Sequence, residues 1–340
     1  MTRRVGRAVR RTATSVTAAG VALMLTTAPA LATVTAETQF GDTVVASGDA
    51  DGDVITVSCA ADEANVNGTS AEPVLACPDV HYVDVDAILG SSTVNLGGLT
   101  LLSFPQLWET SVQVDDGFID SVTGSEVRDV VHADVLDHVS TGLGDDWVEG
   151  AGTVSGGSGN DTLRRVSSVQ AGSGDDLIVN PGGGPLDGGT GFDTLVYDSS
   201  TSTSQQSIVL TLTDTSINNG AVTTSSIEAY DVTASDGEKA DSINSQGYSG
   251  RVTFRGRAGV DTFAGGPGAD VADLGAGNDV AVPGPGSDFV VAGDGDDTAS
   301  VRDGFGDVVE CGPGIDTVTA DRADILSGCE NVSLPAPETS

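Results

Sequence analysis

The chain has 340 residues, of which 50 are Asp or Glu and 14 are Lys or Arg, so its formal net charge at pH 7 is −36. A surface this acidic repels nucleic acid and anionic lipid, and we expect neither as a partner. Hydrophobic residues make up 38% of the chain, which is too many for a disordered acidic protein. The composition therefore indicates a folded protein that needs bound cations to offset its negative charge.

Residues 1–32 have the pattern of a secretory signal peptide. Five arginines precede a short apolar run at 21–25, and Ala30-Leu31-Ala32 matches a small-residue cleavage site. The apolar run is too short for a membrane span. Cleavage would remove five of the 14 basic residues and none of the 50 acidic ones, leaving 9 − 50 = −41. We therefore expect a secreted, extracellular protein with no membrane span.

Residues 33–114 carry the least regular pattern of the chain. Short strand candidates occur at 54–57 and 83–88, without a sustained repeat. We predict an irregular β N-terminal cap region here. Asp53 followed by Ile55 marks a degenerate form of the repeat found further along.

The first repeat block, residues 115–196, contains nine-residue sequence repeats, which we call words. Each clear word has Gly at positions two and four, Asp at position six and an apolar residue at position eight. The sixth-position residues of these words are Asp146, Asp161, Asp176 and Asp193. The first three words begin at Thr141, Gly156 and Ala171, so six-residue returns, 150–155 and 165–170, separate them. A coil of nine plus six residues places its aspartates on one edge and closes the other edge with an ordinary turn.

Residues 197–255 interrupt the words. This segment is rich in Ser, Thr and Asn, with strand candidates at 208–212 and 252–254. Asp241-Ser242-Ile243 resembles a degenerate form of the nine-residue repeat. The segment is interpreted either as metal-poor solenoid coils or as an insertion, and no Pro-rich or Gly-Ser linker marks a domain boundary.

The second repeat block, residues 256–319, has words in immediate succession. Two interleaved Asp ladders result, each with a period of two nine-residue words and with one extra residue near Val301; their members are Asp261, Asp279 and Asp297 on one edge and Asp270 and Asp288 on the other. Asp307 and Asp316 continue the ladders one residue later than that period, although the word around Asp307 lacks the glycines. Residues 320–340 are predicted to form the C-terminal cap and tail.

The four cysteines provide an independent signal of coil length. Cys59 and Cys77 are separated by the length of two nine-residue words, and so are Cys311 and Cys329. In a coil of two such words, residues with this separation lie one rung apart, about 4.8 Å, which a disulfide can bridge. The spacing favours Cys59–Cys77 and Cys311–Cys329, each joining two neighbouring coils. Free thiols or another pairing remain the alternative.

These words resemble the RTX, or haemolysin-type, calcium-binding repeats. The resemblance implies an all-β fold, a right-handed parallel β-roll or β-helix solenoid with an irregular N-terminal cap. It also implies several Ca²⁺ ions between the turns of successive coils, bound by the sixth-position Asp and by main-chain carbonyls. The implied ligands are Asp146, Asp161, Asp176, Asp193, Asp261, Asp270, Asp279, Asp288, Asp297 and Asp316.

Such a chain would be a secreted calcium-binding protein without enzymatic activity, folding outside the cell. Members of the family typically leave the cell with an uncleaved C-terminal signal, whereas this chain has an N-terminal one. A toxin role is therefore not carried over.

Chemistry beyond calcium is sparse in the sequence. It contains no His-Glu-x-x-His, Gly-x-Ser-x-Gly or Cys-x-x-Cys motif. His132 and His138, near Asp134 and Asp137, are interpreted as surface residues for want of a third ligand.

Two alternative functions remain open from the sequence. One is a β-helix polysaccharide lyase or epimerase that uses the basic cluster Arg251, Arg255 and Arg257, in which the last two would share a strand face. The other is an adhesive or structural protein of the cell surface.

Overall fold

The computed structural model describes residues 35–336, apart from 40–41, 49–51, 61, 68, 71–74, 88–89, 115–116, 201–206, 219–221 and 235–238. The expected signal segment, 1–32, lies outside the described residues. Within them the chain is almost entirely strand and turn, with a single 3₁₀ turn at Cys77–Asp79. The predicted all-β class is confirmed. No helix in the described part is long and apolar enough to cross a membrane.

The strands alternate between two sheets that face each other across one core. The first sheet has 15 strands, in the spatial order β1 (Thr35–Gln39), β2 (Thr43–Ser47), β6 (Tyr82–Asp86), β8 (Glu109–Gln113), β10 (Arg128–His132), β12 (Trp147–Glu149), β14 (Thr162–Arg164), β16 (Leu177–Val179), β18 (Thr194–Asp198), β22 (Ala229–Thr233), β24 (Arg251–Arg255), β26 (Val271–Asp273), β28 (Phe289–Val291), β30 (Val308–Glu310) and β32 (Ile325–Ser327).

The strands of the second sheet follow one another in the order β5 (Thr69–Ser70), β4 (Glu63–Val66), β3 (Val54–Ala60), β7 (Thr93–Asn95), β9 (Ser121–Thr123), β11 (His138–Leu143), β13 (Thr153–Ser158), β15 (Ser168–Ser173), β17 (Leu186–Thr190), β21 (Val222–Ser225), β20 (Ser216–Ile217), β19 (Val209–Thr213), β23 (Ser242–Gly247), β25 (Thr262–Ala264), β27 (Val280–Val282), β29 (Thr298–Ser300), β31 (Thr317–Thr319) and β33 (Asn331–Ser333). Because successive strands of a sheet are mostly parallel and come from successive turns of the chain, the molecule is a parallel β-solenoid.

Strand register shows two coil lengths. In the first block Trp147 pairs with Thr162, so a coil has the length of one word and its six-residue return; we call this the short coil. In the second block Thr262 pairs with Val280, so a coil has the length of two words; we call this the long coil. Both lengths match the spacing of the words, so the predicted periods are confirmed.

Alternation along each strand builds the core. The middle residue of each three-residue strand points inward and its neighbours point outward. On the first sheet this gives a fully buried column, in register from coil to coil, that consists of Val148, Leu163, Ile178 and Leu195. Burial of each Leu or Ile side chain stabilises the folded state by about 1.5–3 kcal/mol relative to leaving it exposed. The residues at the eighth position of the words therefore supply most of the hydrophobic stabilisation of this sheet.

The N-terminal end is closed by antiparallel strands. β1 pairs antiparallel with β2, and β4 pairs antiparallel with β3. Both strands cover edges that would otherwise be open to pairing with another chain. This is the expected irregular cap. Asp53 and Ile55 are both buried at the start of β3, as in a degenerate word.

Residues 197–255, for which the sequence left two interpretations open, contain both kinds of structure. β22 and β24 continue the first sheet, and β23 continues the second. Between β17 and β23 of the second sheet, β19, β20 and β21 form an inserted antiparallel meander.

The two predicted disulfides are present, but only one has the predicted role. Cys311 follows β30 and Cys329 follows the adjacent β32, so their bridge joins the last two coils. Cys59 lies in β3, whereas Cys77 begins the 3₁₀ turn before β6. This bridge therefore closes the loop that contains β4 and β5, within one coil. The expectation that it joins two coils is wrong, because the two-word spacing here spans an antiparallel hairpin.

Candidate metal sites

Aspartates stack in columns along the edges of the solenoid. We call the column that precedes the strands of the first sheet the first-edge ladder; in the first block it contains Asp129, Asp146, Asp161, Asp176 and Asp193. The main-chain N–H of each member donates to Oδ1 of the next, at 2.8–2.9 Å. Because the last four members each immediately precede an in-register strand, and Asp129 lies at the start of β10, the same bond recurs from coil to coil.

At the start of the first block the opposite edge carries one bond of this kind, because the N–H of Asp120 donates to Oδ1 of Asp137 at 2.9 Å and both carboxylates are buried. Beyond Asp137 this edge of the block has no ladder among the described residues. Its turns are satisfied by main-chain bonds: the N–H of Gly152 donates to Asp137 O at 3.0 Å, and that of Ser167 donates to Ala151 O at 3.1 Å. The predicted single ladder is therefore observed from Gly152 onward, whereas Asp120 and Asp137 depart from the prediction at the start of the block.

In the second block both edges carry ladders. The first-edge ladder resumes with N–H to Oδ1 bonds of 2.8–3.1 Å between Asp270, Asp288, Asp307 and Asp324. The second-edge ladder, which precedes the strands of the second sheet, has bonds of 2.7–2.8 Å between Asp241, Asp261, Asp279, Asp297 and Asp316. The predicted two-word register, and its shift by one residue near Val301, are therefore observed on both edges.

The ladder carboxylates are buried with one oxygen unsatisfied. All ten predicted ligands are at most 3% exposed. In nine of them Oδ2 accepts no hydrogen bond from the described residues; these are Asp146, Asp161, Asp176, Asp193, Asp261, Asp279, Asp288, Asp297 and Asp316. Asp270 differs, because its Oδ2 accepts the N–H of Gly266 at 3.2 Å. A buried, unsatisfied carboxylate oxygen is costly unless it binds a proton or a cation.

Burial shifts the acidity of these groups. Loss of solvent around Asp146, together with the neighbouring carboxylates of Asp129 and Asp161, raises its pKa to about 8. The same cause raises the pKa of Asp161 and Asp288 to about 7 and that of Asp279 to about 6. Without a cation, Asp146 would therefore hold a proton at neutral pH, whereas Asp279 would be largely ionised.

Small spaces adjoin several of the unsatisfied oxygens. A Cβ added to Gly156 would lie 2.2 Å from Asp161 Oδ2 and 2.5 Å from the carbonyl oxygen of Ala171 in the next coil. A Cβ added to Gly256 would lie 2.4 Å from Asp261 Oδ2 and 2.7 Å from the carbonyl oxygen of Leu274. A carboxylate oxygen and a main-chain oxygen thus converge on a space that glycine leaves free.

Glycine at position four allows the turns themselves to stack closely. Gly277 has φ +153°, and a Cβ there would lie 1.4 Å from the carbonyl oxygen of Gly259 in the preceding coil. Gly159 has φ +132° and is similarly placed against the carbonyl of Gly144, at 1.9 Å. Only glycine allows both this conformation and this contact. Carbonyl oxygens consequently line each Asp edge from coil to coil.

The donor set fits a hard cation. In the described residues no three His, Cys, Asp or Glu side chains gather around one point, so carboxylates alone cannot complete a site. Main-chain carbonyls of the turns must supply the other ligands, and Ca²⁺ accepts such mixed oxygen sets. No nitrogen or sulfur donor lies in the ladders, which disfavours zinc.

Sequence reasoning missed several ladder members. Asp129 and Asp324 were not selected, and Asp307, which was left doubtful, is 1% exposed and accepts the N–H of Asp288 at 2.9 Å. Glu228 and Glu330 accept the N–H groups of Asp193 and Asp316. Four of these acids stand two residues before a side chain that packs in the core, whereas Glu330 stands two residues before the exposed Val332. That spacing is a better signal than the glycines.

The other candidate residues do not form a second metal centre in the described structure. His132 packs edge-on against Trp147, and His138 is exposed on β11. Arg251 and Arg255 share the outer face of β24, where Arg255 pairs with Asp231 at 2.5 Å. Arg257 lies beyond the end of that strand with φ +75°, so the expectation that it shares a strand face with Arg255 is wrong.

Comparison with known proteins adds no family to this geometry. No protein-family model matches the chain, and no curated protein matches it. The function proposed below therefore rests on the residues and their arrangement alone.

Proposed function

We propose that the protein is a secreted, non-enzymatic calcium-binding β-solenoid of the RTX type. The observation that carries this proposal is the column of buried aspartates whose Oδ2 atoms lack a hydrogen-bond partner, repeated in coil after coil. Secretion rests on the signal-like pattern of residues 1–32. Bound Ca²⁺ would supply positive charge and oxygen coordination to the turns, and the chain would supply the ligands.

Calcium explains the ladders better than protons do. Burial raises the pKa of Asp261 and Asp279 to about 6, so at pH 7 most of these carboxyls would be ionised. Ionised neighbours one rung apart, about 4.8 Å, repel each other strongly when buried. A divalent cation removes this repulsion, and it also offsets the chain's net charge of −36.

Sharing of ions between coils would make binding cooperative. Asp279 accepts the N–H of Asp261, and its own N–H donates to Asp297, so one side chain belongs to two coil junctions. Individual sites of extracellular calcium modules have dissociation constants of about 10⁻⁴–10⁻³ M. Binding to the folded state alone would couple these weak sites to folding.

The repetition of the acidic groups favours binding over catalysis. An active site is unique in a chain, whereas the pairs Asp145-Asp146 and Asp175-Asp176 recur at the coil period. The basic cluster that a lyase or epimerase would need is partly engaged, since Arg255 binds Asp231.

A calcium titration of the mature chain tests the proposal. Equilibrium dialysis at about 10 mM Ca²⁺ should show several bound ions, and circular dichroism should show a gain of β-structure or of thermal stability. Equal Mg²⁺ controls for ionic screening, because Mg²⁺ demands a smaller octahedral site. Absence of bound Ca²⁺, or an equal effect of Mg²⁺, would refute the proposal.

A further inference from the structure

A groove runs across the outer face of the second sheet, away from the ladders. It has a volume of about 490 Å³ and crosses β9, β11, β13, β15 and β17, ending at Thr223, Thr224 and Ser225 of β21. The coils beneath it are shorter than two words, since Ser121 pairs with His138 and His138 pairs with Thr153. No calcium-binding role involves this surface.

Two rows of polar side chains line the groove in strict register. One row contains Ser121, His138, Thr153 and Ser168, and the other contains Thr123, Ser140, Ser155 and Gln170. The strand positions between the two rows hold valines whose side chains point into the core and are at most 4% exposed; they are Val122, Val139, Val154 and Val169. Strand geometry sets about 4.8 Å between side chains along a row and about 6.6 Å between the rows.

The hydroxyls of these rows are available to a ligand. Six hydroxyl side chains on neighbouring strands make no hydrogen bond to protein within the described structure; they are Ser121, Thr123, Ser140, Thr153, Ser155 and Ser168. A Ser or Thr hydroxyl both donates and accepts, so each can pair with a group that does the same.

The charge of the groove contrasts with that of the molecule. Only His138 and Asp187 among its lining residues are ionisable, and Asp187 already accepts the hydroxyl of Ser225 at 2.8 Å. The chain elsewhere is strongly acidic. The groove therefore has no fixed cation for a polyanion and almost no carboxylate for a polycation, so its chemistry matches an uncharged ligand with many hydroxyls.

We propose that this groove binds an extended, neutral polysaccharide chain. Ring hydroxyls would pair with the two rows, directly or through water, and the methyl groups of the threonines and the ring of Pro185 would contact the C–H faces of the sugars. The four rung steps from β9 to β17 give a length of about 19 Å, enough for several sugar rings. Acidic polysaccharide fits less well, because no Lys or Arg side chain lines the groove to pair with its carboxylates.

Binding of defined oligosaccharides to the full chain in calcium-containing buffer tests this assignment. The probes are cellohexaose, xylohexaose and chitohexaose as neutral extended chains, with hexagalacturonate as the acidic counterpart. Calorimetry should detect at least one neutral probe with a dissociation constant of about 1 mM or tighter, and much weaker binding of hexagalacturonate.

Two matched variants locate the site. Ser140 is an exposed serine in the middle of the groove, and Ser300 is an exposed serine on β29 of the same sheet, outside it. Ser140→Tyr should weaken binding by at least about tenfold, whereas Ser300→Tyr should leave it unchanged. Circular dichroism and melting temperature check that both variants fold.

Four outcomes would overturn the assignment, and the first three concern the oligosaccharides and the two variants. They are no binding of any neutral probe at about 5 mM, a concentration well above the expected dissociation constant; equal effects of the two variants; and tighter binding of hexagalacturonate. Equal affinity for a neutral Gly-Ser decapeptide would also overturn it, because the groove would then accept any uncharged extended chain.

Discussion

The two repeat blocks use the same nine-residue word but build different edges. In the first block a return of six or eight residues follows each of the first three words, and the ladder that runs through these coils lies on the first edge alone. In the second block words follow one another directly, and both edges carry ladders. Three more residues per coil are enough to replace an ordinary turn with a second column of buried carboxylates.

This difference sets how each block stays folded without calcium. The plain edge of the first block is satisfied by main-chain bonds such as that from Gly152 N–H to Asp137 O. The second block has buried carboxylates at both edges, including Asp279 and Asp288, whose Oδ2 atoms lack partners. We therefore expect the second block to depend more on bound cation.

Removal of calcium should produce the largest effect and separate the blocks. After treatment with a chelator at pH 7.5, hydrogen exchange of the second-block strands, such as β27 and β29, should accelerate strongly, because their ladders lose the charge that offsets repulsion. Strands β14 and β16 of the first block should keep more protection. Mass-spectrometric hydrogen exchange gives both values in one experiment. Equal loss in both blocks would break the comparison.

A substitution in an Asp-edge turn should be far more damaging than one in a plain turn. In Gly277→Ala the new Cβ would lie 1.4 Å from Gly259 O at φ +153°, so strain and overpacking should cost of the order of 3 kcal/mol or more. Gly183, in a plain-edge turn, has no heavy atom within 4 Å of its added Cβ, and Gly183→Ala should be nearly neutral. Denaturant unfolding in Ca²⁺ measures both. A neutral Gly277→Ala would show that the turns are loosely stacked.

Stability without calcium should fall as pH rises, and the fall should extend to a higher pH in the first block. The ladder carboxyls titrate near 3.8 when unfolded, whereas burial raises the pKa of Asp146 to about 8 and that of Asp279 to about 6. Between the unfolded and folded values the native chain holds more protons, so each step up in pH destabilises it.

The second block, in which burial raises the pKa of Asp279 to about 6 and that of Asp288 to about 7, should therefore lose this proton-linked stability by about pH 7, and the first block, in which the pKa of Asp146 is raised to about 8, only by about pH 8. Trp147, next to Asp146, reports on the first block by fluorescence during urea unfolding in chelator. Saturating Ca²⁺ should flatten the dependence. A stability that rises with pH in chelator would contradict the assigned burial of these groups.

The parts of the fold that repeat could be predicted from the sequence, and the parts that do not repeat could not. The pattern of Gly, Asp and an apolar residue fixes the turn, the ladder and the inward side chain at once, so the lengths of the short and long coils followed directly. The meander β19–β21 carries no such pattern, and its Ser- and Thr-rich strands pair by contacts that are distant in sequence.

Single spacings were weaker evidence than the repeat. Cys59 and Cys77 show the two-word period of the long coil, yet they bridge a hairpin because the local strands are antiparallel. In contrast, Asp307 lacks the glycines of its word and still occupies the ladder, because strand register places it there. An acidic residue two positions before an inward-facing apolar residue therefore identifies a ladder member even where the glycines of the word are missing.

The most direct test of the account is the calcium-linked stability of Asp279→Asn, with Asp273→Asn as its control. Asp279 is buried in the second-edge ladder, whereas Asp273 is exposed at the end of β26. Both substitutions remove one negative charge and keep the size of the side chain. Unfolding free energies are compared in chelator and in about 10 mM Ca²⁺, a concentration above the expected dissociation constants.

In chelator, Asp279→Asn should be as stable as the parent chain or more so, because a buried charge is removed. In Ca²⁺ its calcium-dependent gain should be smaller than that of the parent by about 1.5–3 kcal/mol, since a site filled at 100 times its dissociation constant contributes about 2.7 kcal/mol. Asp273→Asn should gain as much as the parent chain. If the two variants lose the same amount, the aspartates act only as diffuse charge and the ladder sites do not exist.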